Sequence, residues 1–292
     1  MKPTRPGLFA LGAAGLGLYA FVEPYLVRLT RKKLSIRHGA PALSVLHLSD
    51  THLAAGDRVL RRFLEDLPGR VGFVPDIVAA TGDLIEEDGA IDEVVSLLAG
   101  IEARIGRFFV YGSHDYFEST GPSYLKYFTD GETKHQPVRR DESAMSQALV
   151  AKGWIDVMNR TEIVDGGAKG RIRVAGVKDP WLKWHRTDHI ERDEADDLAI
   201  ALVHSPDVVS EWALNGFDLV LAGHTHGGQV RVPGVGAVVT NSSLPAALAA
   251  GPTRIGRTWL HVSPGLGAGR YTPIRFNCRP EATLLYLEPG GY

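Results

Sequence analysis

The chain has 292 residues, 44% of them hydrophobic and 23% charged, which supplies apolar mass for one large core or two small ones and excludes disorder, collagen and a pure coiled coil. With 32 Lys and Arg against 34 Asp and Glu, the formal charge is −2, too little to hold a polyanion, so no nucleic-acid partner is expected. Cys278 is the one cysteine, so an internal disulfide and a thiolate metal cage are excluded and any metal must take nitrogen and oxygen ligands.

The chain opens with an uncharged run over 7–22, rich in Leu, Ala and Gly, which reaches Val27 if Glu23 and Pro24 sit near an interface. Over 7–27 it just spans a bilayer. No small-x-small cleavage site precedes Glu23, so an uncleaved anchor is preferred over export through a signal peptide and over a buried helix. Arg28, Arg31, Lys32, Lys33 and Arg37 follow the run, against Lys2 and Arg5 before it, which predicts a cell-membrane protein whose remaining domain is cytoplasmic. Residues 1–40 are thus expected to form an anchor and basic linker, and 41–292 a single layered domain.

Within that domain, continuous apolar runs at 43–48, 77–80, 108–111, 172–174, 198–203 and 219–222 predict strands covered on both faces. Residues 58–67 and 91–101 have helical spacing, and the alternation predicts an α/β fold. Residues 116–146 read as a polar surface excursion, 191–197 as an acidic helix start, and 232–273 as short strands and turns.

Polar residues able to bind metal recur just past the strand ends, where open α/β sheets place ligands. The run 43–48 leads into Asp50-Thr51-His52, whose two-residue spacing in an extended segment puts carboxylate and imidazole on one side. The run 77–80 leads to Gly82-Asp83, 108–111 to Gly112-Ser113-His114-Asp115, 198–203 to His204, and 219–222 to Gly223-His224-Thr225-His226. Five of the 11 histidines and three aspartates fall at these ends, and such clustering is costly unless cations neutralise it.

This ordered series resembles the calcineurin-like metallophosphoesterase superfamily from about residue 43 to the C-terminus. Gly227-Gly228-Gln229-Val230, the preceding Glu23-Pro24, and Arg275-Phe276-Asn277 near Pro280-Glu281 resemble its subgroup of membrane-associated bacterial phosphoesterases. The resemblance implies a four-layer α/β/β/α sandwich, two divalent ions (manganese, iron or zinc), and hydrolysis of a phosphodiester or pyrophosphate by a metal-bound hydroxide. It implies a first ion on Asp50, His52, Asp83 and His226 and a second on Asp83, His204 and His224, with Asp83 bridging. It implies His114 over the phosphoryl group, aiding departure of the leaving group, and Asp115 as its orienting or polarising partner, both catalytic. Substrates of some members in the subgroup are lipid-linked or nucleotide-sugar phosphates, including UDP-2,3-diacylglucosamine.

One position departs from the pattern. Ser113 stands where the family usually has an asparagine ligand of the second metal, and a hydroxyl is the poorer donor, so that site is expected to be weaker or more hydrated. In another arrangement the loop shifts and His114 reaches the metal. A rival reading follows, a membrane-tethered metal-binding scaffold or sensor with weak or lost catalysis. Trp181 and Trp184 suit a membrane interface or an apolar wall, with packing of their loop onto the core preferred. His38, His47, His135, His185, His189, His261 and Cys278 carry no ligand spacing and are assigned structural roles.

Overall fold

The computed structural model describes residues 15, 17–119 and 138–290. Its first sheet runs β1 (Arg28–Ile36), β14 (Glu281–Pro289), β2 (Leu43–Leu48), β3 (Ile77–Thr81), β4 (Gly106–Val110) and β5 (Trp154–Asp156). The second runs β12 (Gly251–Ile255), β13 (Thr258–Val262), β9 (Leu219–Ala222), β8 (Leu198–Leu202), β7 (Arg171–Gly176) and β6 (Arg160–Asp165). A hairpin of β10 (Arg231–Val232) and β11 (Gly236–Ala237) lies outside both sheets.

The unbroken apolar runs arise because each central strand buries both faces. On β8, Leu198, Ile200 and Leu202 join the large core shared with the first sheet, whereas Ala199 and Ala201 pack on the opposite face with Val209 and Trp212. Those two residues belong to α5 (Val209–Leu214). The first sheet is covered by α1 (Arg58–Val71), α2 (Ile91–Ala99) and α4 (Glu142–Ala151). On α1 the buried residues Leu60, Phe63, Leu64 and Leu67 recur at helical spacing, Asp57 caps the N-terminus by accepting from Val59 N and Leu60 N, and Gly72 closes the helix at φ 86°. The layers therefore run helix, sheet, sheet, helix.

The basic segment read as a linker is part of the first sheet. β1 pairs in parallel with β14 from Arg28 opposite Glu281 to Ile36 opposite Pro289, so the sheet begins 13 residues before Pro41. Charged residues on an edge strand blunt pairing with other chains. Three of the five are also spent locally: Arg28 pairs with Glu281 at 2.9 Å, Lys33 with Glu288 at 2.7 Å and Arg37 with Asp218 at 3.0 Å.

Most of the run 7–22 lies outside the described residues, and among the described residues no helix is long and apolar enough to cross a membrane. Its extension to Val27 does not hold. Glu23 is buried, accepting from Asn277 N and Cys278 N at 2.7 Å each, and this fixes the segment against the domain.

Two smaller expectations also change. Residues 191–197 form a turn rather than a helix, because Arg171 and Arg173 of β7 draw Asp196 into a buried ion-paired position. Of the excursion 116–146, residues 120–137, with His135, lie outside the described residues, but Tyr116 is buried and α4 contributes Met145 and Leu149 to the core.

Candidate metal centre

The strands β2, β3 and β4 of one sheet and β8 and β9 of the other end at one rim, and their next residues converge there. Loops are tied by backbone bonds such as Asp50 N to Gly82 O and Gly223 N to His204 O, both 2.9 Å. Asp50, His52, Asp83, His224 and His226 have φ of 49°, 41°, 51°, 68° and 49°, half of the ten non-glycine residues with positive φ among those described. Left-handed backbone of this kind costs about 1–3 kcal/mol per residue and clusters where function requires it. The 50–52 segment is thus not extended; left-handed turns bring its carboxylate and imidazole to the rim. Gly112 and Gly223 are required by close approach, since a Cβ would strike Asp83 Oδ1 and the His204 ring at the first and Ser49 Oγ and Asp50 Oδ2 at the second.

Two clusters of ligand atoms result. Asp50, His52 and His226 each bring one atom within 4.8 Å of the others, and so do Asp50, Asp83 and His204. His52 Nε2 is 3.2 Å from His226 Nε2 and 3.6 Å from Asp83 Oδ2, while the same Asp83 oxygen is 3.2 Å from His204 Nε2. His224 lies beside them, its N–H donating to Asp50 Oδ1 at 3.0 Å and its ring centroid 5.2 Å from that of His204. Ser113 opens the single turn α3 (Ser113–Tyr116), next to His114, whose N–H donates to Asp83 Oδ1 at 2.9 Å. His52, Glu86 and His114 form a third cluster, which the sequence reading did not anticipate.

Partners with fixed roles settle where the ring protons sit. His204 Nδ1 faces Thr81 O at 2.8 Å and His224 Nε2 faces Asn241 O at 2.9 Å. Carbonyls only accept, so these nitrogens carry hydrogen and the opposite ones are left for the site. Among the described residues, His204 Nε2 and Asp179 Oδ2 are buried without a hydrogen-bond partner, the kind of orphaned atom a cation satisfies. His52 Nδ1 donates to Glu86 Oε2 at 2.9 Å, which leaves Nε2 for the cluster. Ser119 donates its hydrogen to Glu86 Oε1 at 2.6 Å, so its Oγ accepts from His114 Nδ1 at 2.9 Å. Neutral His114 therefore has a bare Nε2, a proton acceptor or metal ligand; the donor role implied by the resemblance requires prior protonation.

Asp115, expected to be the catalytic partner of His114, directs its carboxylate to backbone N–H groups, while the His114 ring bonds Ser119. Asp115 is fully buried, with Oδ1 accepting from Leu84 N at 2.7 Å and Ile85 N at 3.3 Å and Oδ2 from Gly112 N at 3.0 Å. Both oxygens are occupied in joining two loops. Burial, then the Asp83 charge, pushes its carboxyl up to about 7.

Elsewhere burial opposes charge and neighbours decide the outcome. Burial raises Asp83, but the imidazoles of His204, His114 and His52 hold it well below the usual carboxylate range. Burial lowers His204, but Asp83, Asp50 and Asp179 carry it well above the usual imidazole value. Burial followed by His52 and the buried Arg275 guanidinium keeps His226 well below that value, and burial with His204 brings His224 down to about 4. Carboxylates and imidazoles shifted in opposite senses around shared points, with no thiolate, fit divalent manganese, iron or zinc.

Glu86, Asp179 and Asn241 escape the sequence reading, and Arg275 enters it only through the resemblance. Asp179 had a signal, since it follows the 172–174 run as the other candidates follow theirs. Burial pushes its carboxyl up to about 6. The tryptophans divide: Trp184 packs on Tyr116 and Phe117, whereas Trp181 is 56% exposed and leans on His224 with ring centroids 5.2 Å apart.

The chain is 27% identical over 297 residues to the metallophosphoesterase YkuE of Bacillus subtilis, covering 97% of this chain and 94% of that one. It is 26% identical over 284 residues to phosphodiesterase YaeI of Escherichia coli, covering 94% and 93%. It is 24% identical over 305 residues to UDP-2,3-diacylglucosamine pyrophosphatase LpxG of Chlamydia muridarum, covering 90% of each. Residues 43–228, which hold every candidate ligand from Asp50 to His226, match the calcineurin-like phosphoesterase description; the chain belongs to that family and is a phosphoester hydrolase.

Proposed function

We propose that the chain hydrolyses a phosphodiester or pyrophosphate with two divalent cations, manganese, iron or zinc. Asp50, His52, Asp83 and His226 would hold one ion, and Asp83, His204, His224 and Ser113 the other. When bound, the ions would supply Lewis-acid activation of water and neutralise charge on the phosphoryl oxygens. One observation carries this reading: Asp83 Oδ2 lies 3.6 Å from His52 Nε2 and 3.2 Å from His204 Nε2, so one carboxylate serves both ligand groups.

Around that carboxylate the chain's own residues divide the work. Glu86 fixes the tautomer of His52 directly and of His114 through Ser119. His114, partly exposed and edge-on to the His52 ring at 4.6 Å, takes and returns a proton at Nε2. Similarity to YaeI supports a phosphodiester, and similarity to LpxG supports an acylated nucleotide-sugar pyrophosphate. Membrane attachment through 7–22 belongs to the same proposal, supported by that uncharged run and by exposed Leu18, Phe21 and Val22.

Hydrolysis of bis-p-nitrophenyl phosphate and of UDP-2,3-diacylglucosamine by chelator-stripped protein, with and without manganese, tests the reading. Manganese-dependent turnover is expected, with His204→Ala lowering kcat/KM by about a hundredfold or more. Turnover indifferent to both manganese and His204 would overturn it.

A further inference from the structure

We propose that an apolar cavity beside the ligand cluster receives an unbranched alkyl or acyl chain carried by the phosphoester substrate. This inference rests on the hydrolase reading above. The cavity, of about 240 Å³, is bounded by His226, Val230, Val238, Val239, Asn241 and Ile274. Two of these walls are also walls of the reaction site. His226 belongs to the first ligand group, and Asn241 O accepts the His224 Nε2 hydrogen at 2.9 Å. A group in this cavity would therefore sit beside a phosphorus atom held at the cluster.

Three of the cavity's polar groups are already committed to the fold. Thr225 Oγ1 donates to Ala249 O at 2.7 Å, Gln229 Nε2 donates to Thr272 O at 3.3 Å, and Asn241 O is taken by His224. A sugar or base placed here would lose hydrogen bonds to water and find few replacements, whereas a hydrocarbon loses nothing. The volume is below the roughly 300–1,000 Å³ that encloses a whole drug-sized ligand, and it suits one segment of a longer substrate.

The mouth continues the same chemistry. The hairpin β10–β11 and its flank expose Val232, Val235 at 75% and Val238 at 53%, and Val238 also lines the cavity. Exposed apolar side chains thus stand on the hairpin beside the cavity, and exposed Trp181 leans on His224 of the ligand cluster.

The test uses the full chain with manganese and a series of alkyl p-nitrophenyl phosphate diesters from methyl to octyl. kcat/KM is expected to climb about fourfold per methylene over the first members and then level off once the cavity is filled. Dissociation constants of the matching alkylphosphonates, measured by calorimetry, should follow the same slope. Val238→Asp, at an exposed position, and Ile274→Ser should each cut the octyl-to-methyl ratio of kcat/KM at least about tenfold. A flat series, with the methyl ester still hydrolysed, overturns the chain-binding cavity and leaves the hydrolase reading standing. Failure to hydrolyse any member, with UDP-2,3-diacylglucosamine also left intact, overturns both.

Discussion

Glu86 accepts from His52 Nδ1 at 2.9 Å and from Ser119 Oγ at 2.6 Å, and through Ser119 it also orients His114. Ligand histidines held this way lose affinity for metal when the outer partner goes, so Glu86→Gln is expected to weaken manganese binding about 10–100-fold with the fold intact. Calorimetric titration checks this, and unchanged affinity contradicts it. Asp50 is positioned by a longer chain. Its carboxylate only accepts, so Ser49 Oγ donates to it at 2.5 Å, Thr81 Oγ1 to Ser49 at 2.7 Å, His47 Nε2 to Thr81 at 2.8 Å, and His261 Nδ1 to His47 Nδ1 at 2.8 Å. At Asp115, substitution by Ala would strand three buried backbone N–H groups and is expected to cost about 3 kcal/mol or more in denaturant unfolding; a loss under 1 kcal/mol would show that the two loops do not depend on it. The candidate ligands were legible because each stands just past an apolar run. Glu86 and His47 were not, because their partners are 34 and 214 residues away, at His52 and His261 respectively, and no local spacing encodes such contacts.

Among the elements, β1 carries the largest difference from the sequence reading. Central strands such as β8 announce themselves by unbroken hydrophobicity, whereas β1 buries only Leu34 and Ile36 and exposes charge along its edge, which gives it the composition of a linker. Its role is to cover β14, whose Ala282, Leu284, Leu285 and Leu287 are buried. A chain beginning at Arg28 is therefore expected to fold and stay monodisperse in size-exclusion chromatography. One beginning at Pro41 leaves β14 as a bare apolar edge and is expected to aggregate; equal behaviour of the two would contradict the assignment. The turn preceding β8 departs from the expected helix for a related reason. Its carboxylates serve arginines of the neighbouring strand, Asp196 bonding Arg171 at 2.9 Å, and not a helix dipole.

Across the whole molecule, the facing sheets meet through the buried pair His47 on β2 and His261 on β13. Burial holds His47 well below its ordinary value and brings His261 down to about 3. Both titrate near 6.5 when unfolded, so the unfolded chain binds more protons as the pH falls below that value. Stability from this pair is complete above about pH 6.5 and declines as the pH drops toward 3. Urea unfolding midpoints should fall across that window, and less steeply in His261→Gln; identical slopes would contradict the linkage. The same packing of two sheets brings ligands from both onto one rim, with Asp83 between them. Metal content at saturation, measured by mass spectrometry alongside bis-p-nitrophenyl phosphate hydrolysis for wild type and Asp83→Ala, tests that arrangement most directly. Two ions per wild-type chain are expected, with Asp83→Ala losing both ions and turnover together. A single ion in the wild type, or turnover retained in Asp83→Ala, would contradict a shared two-ion centre.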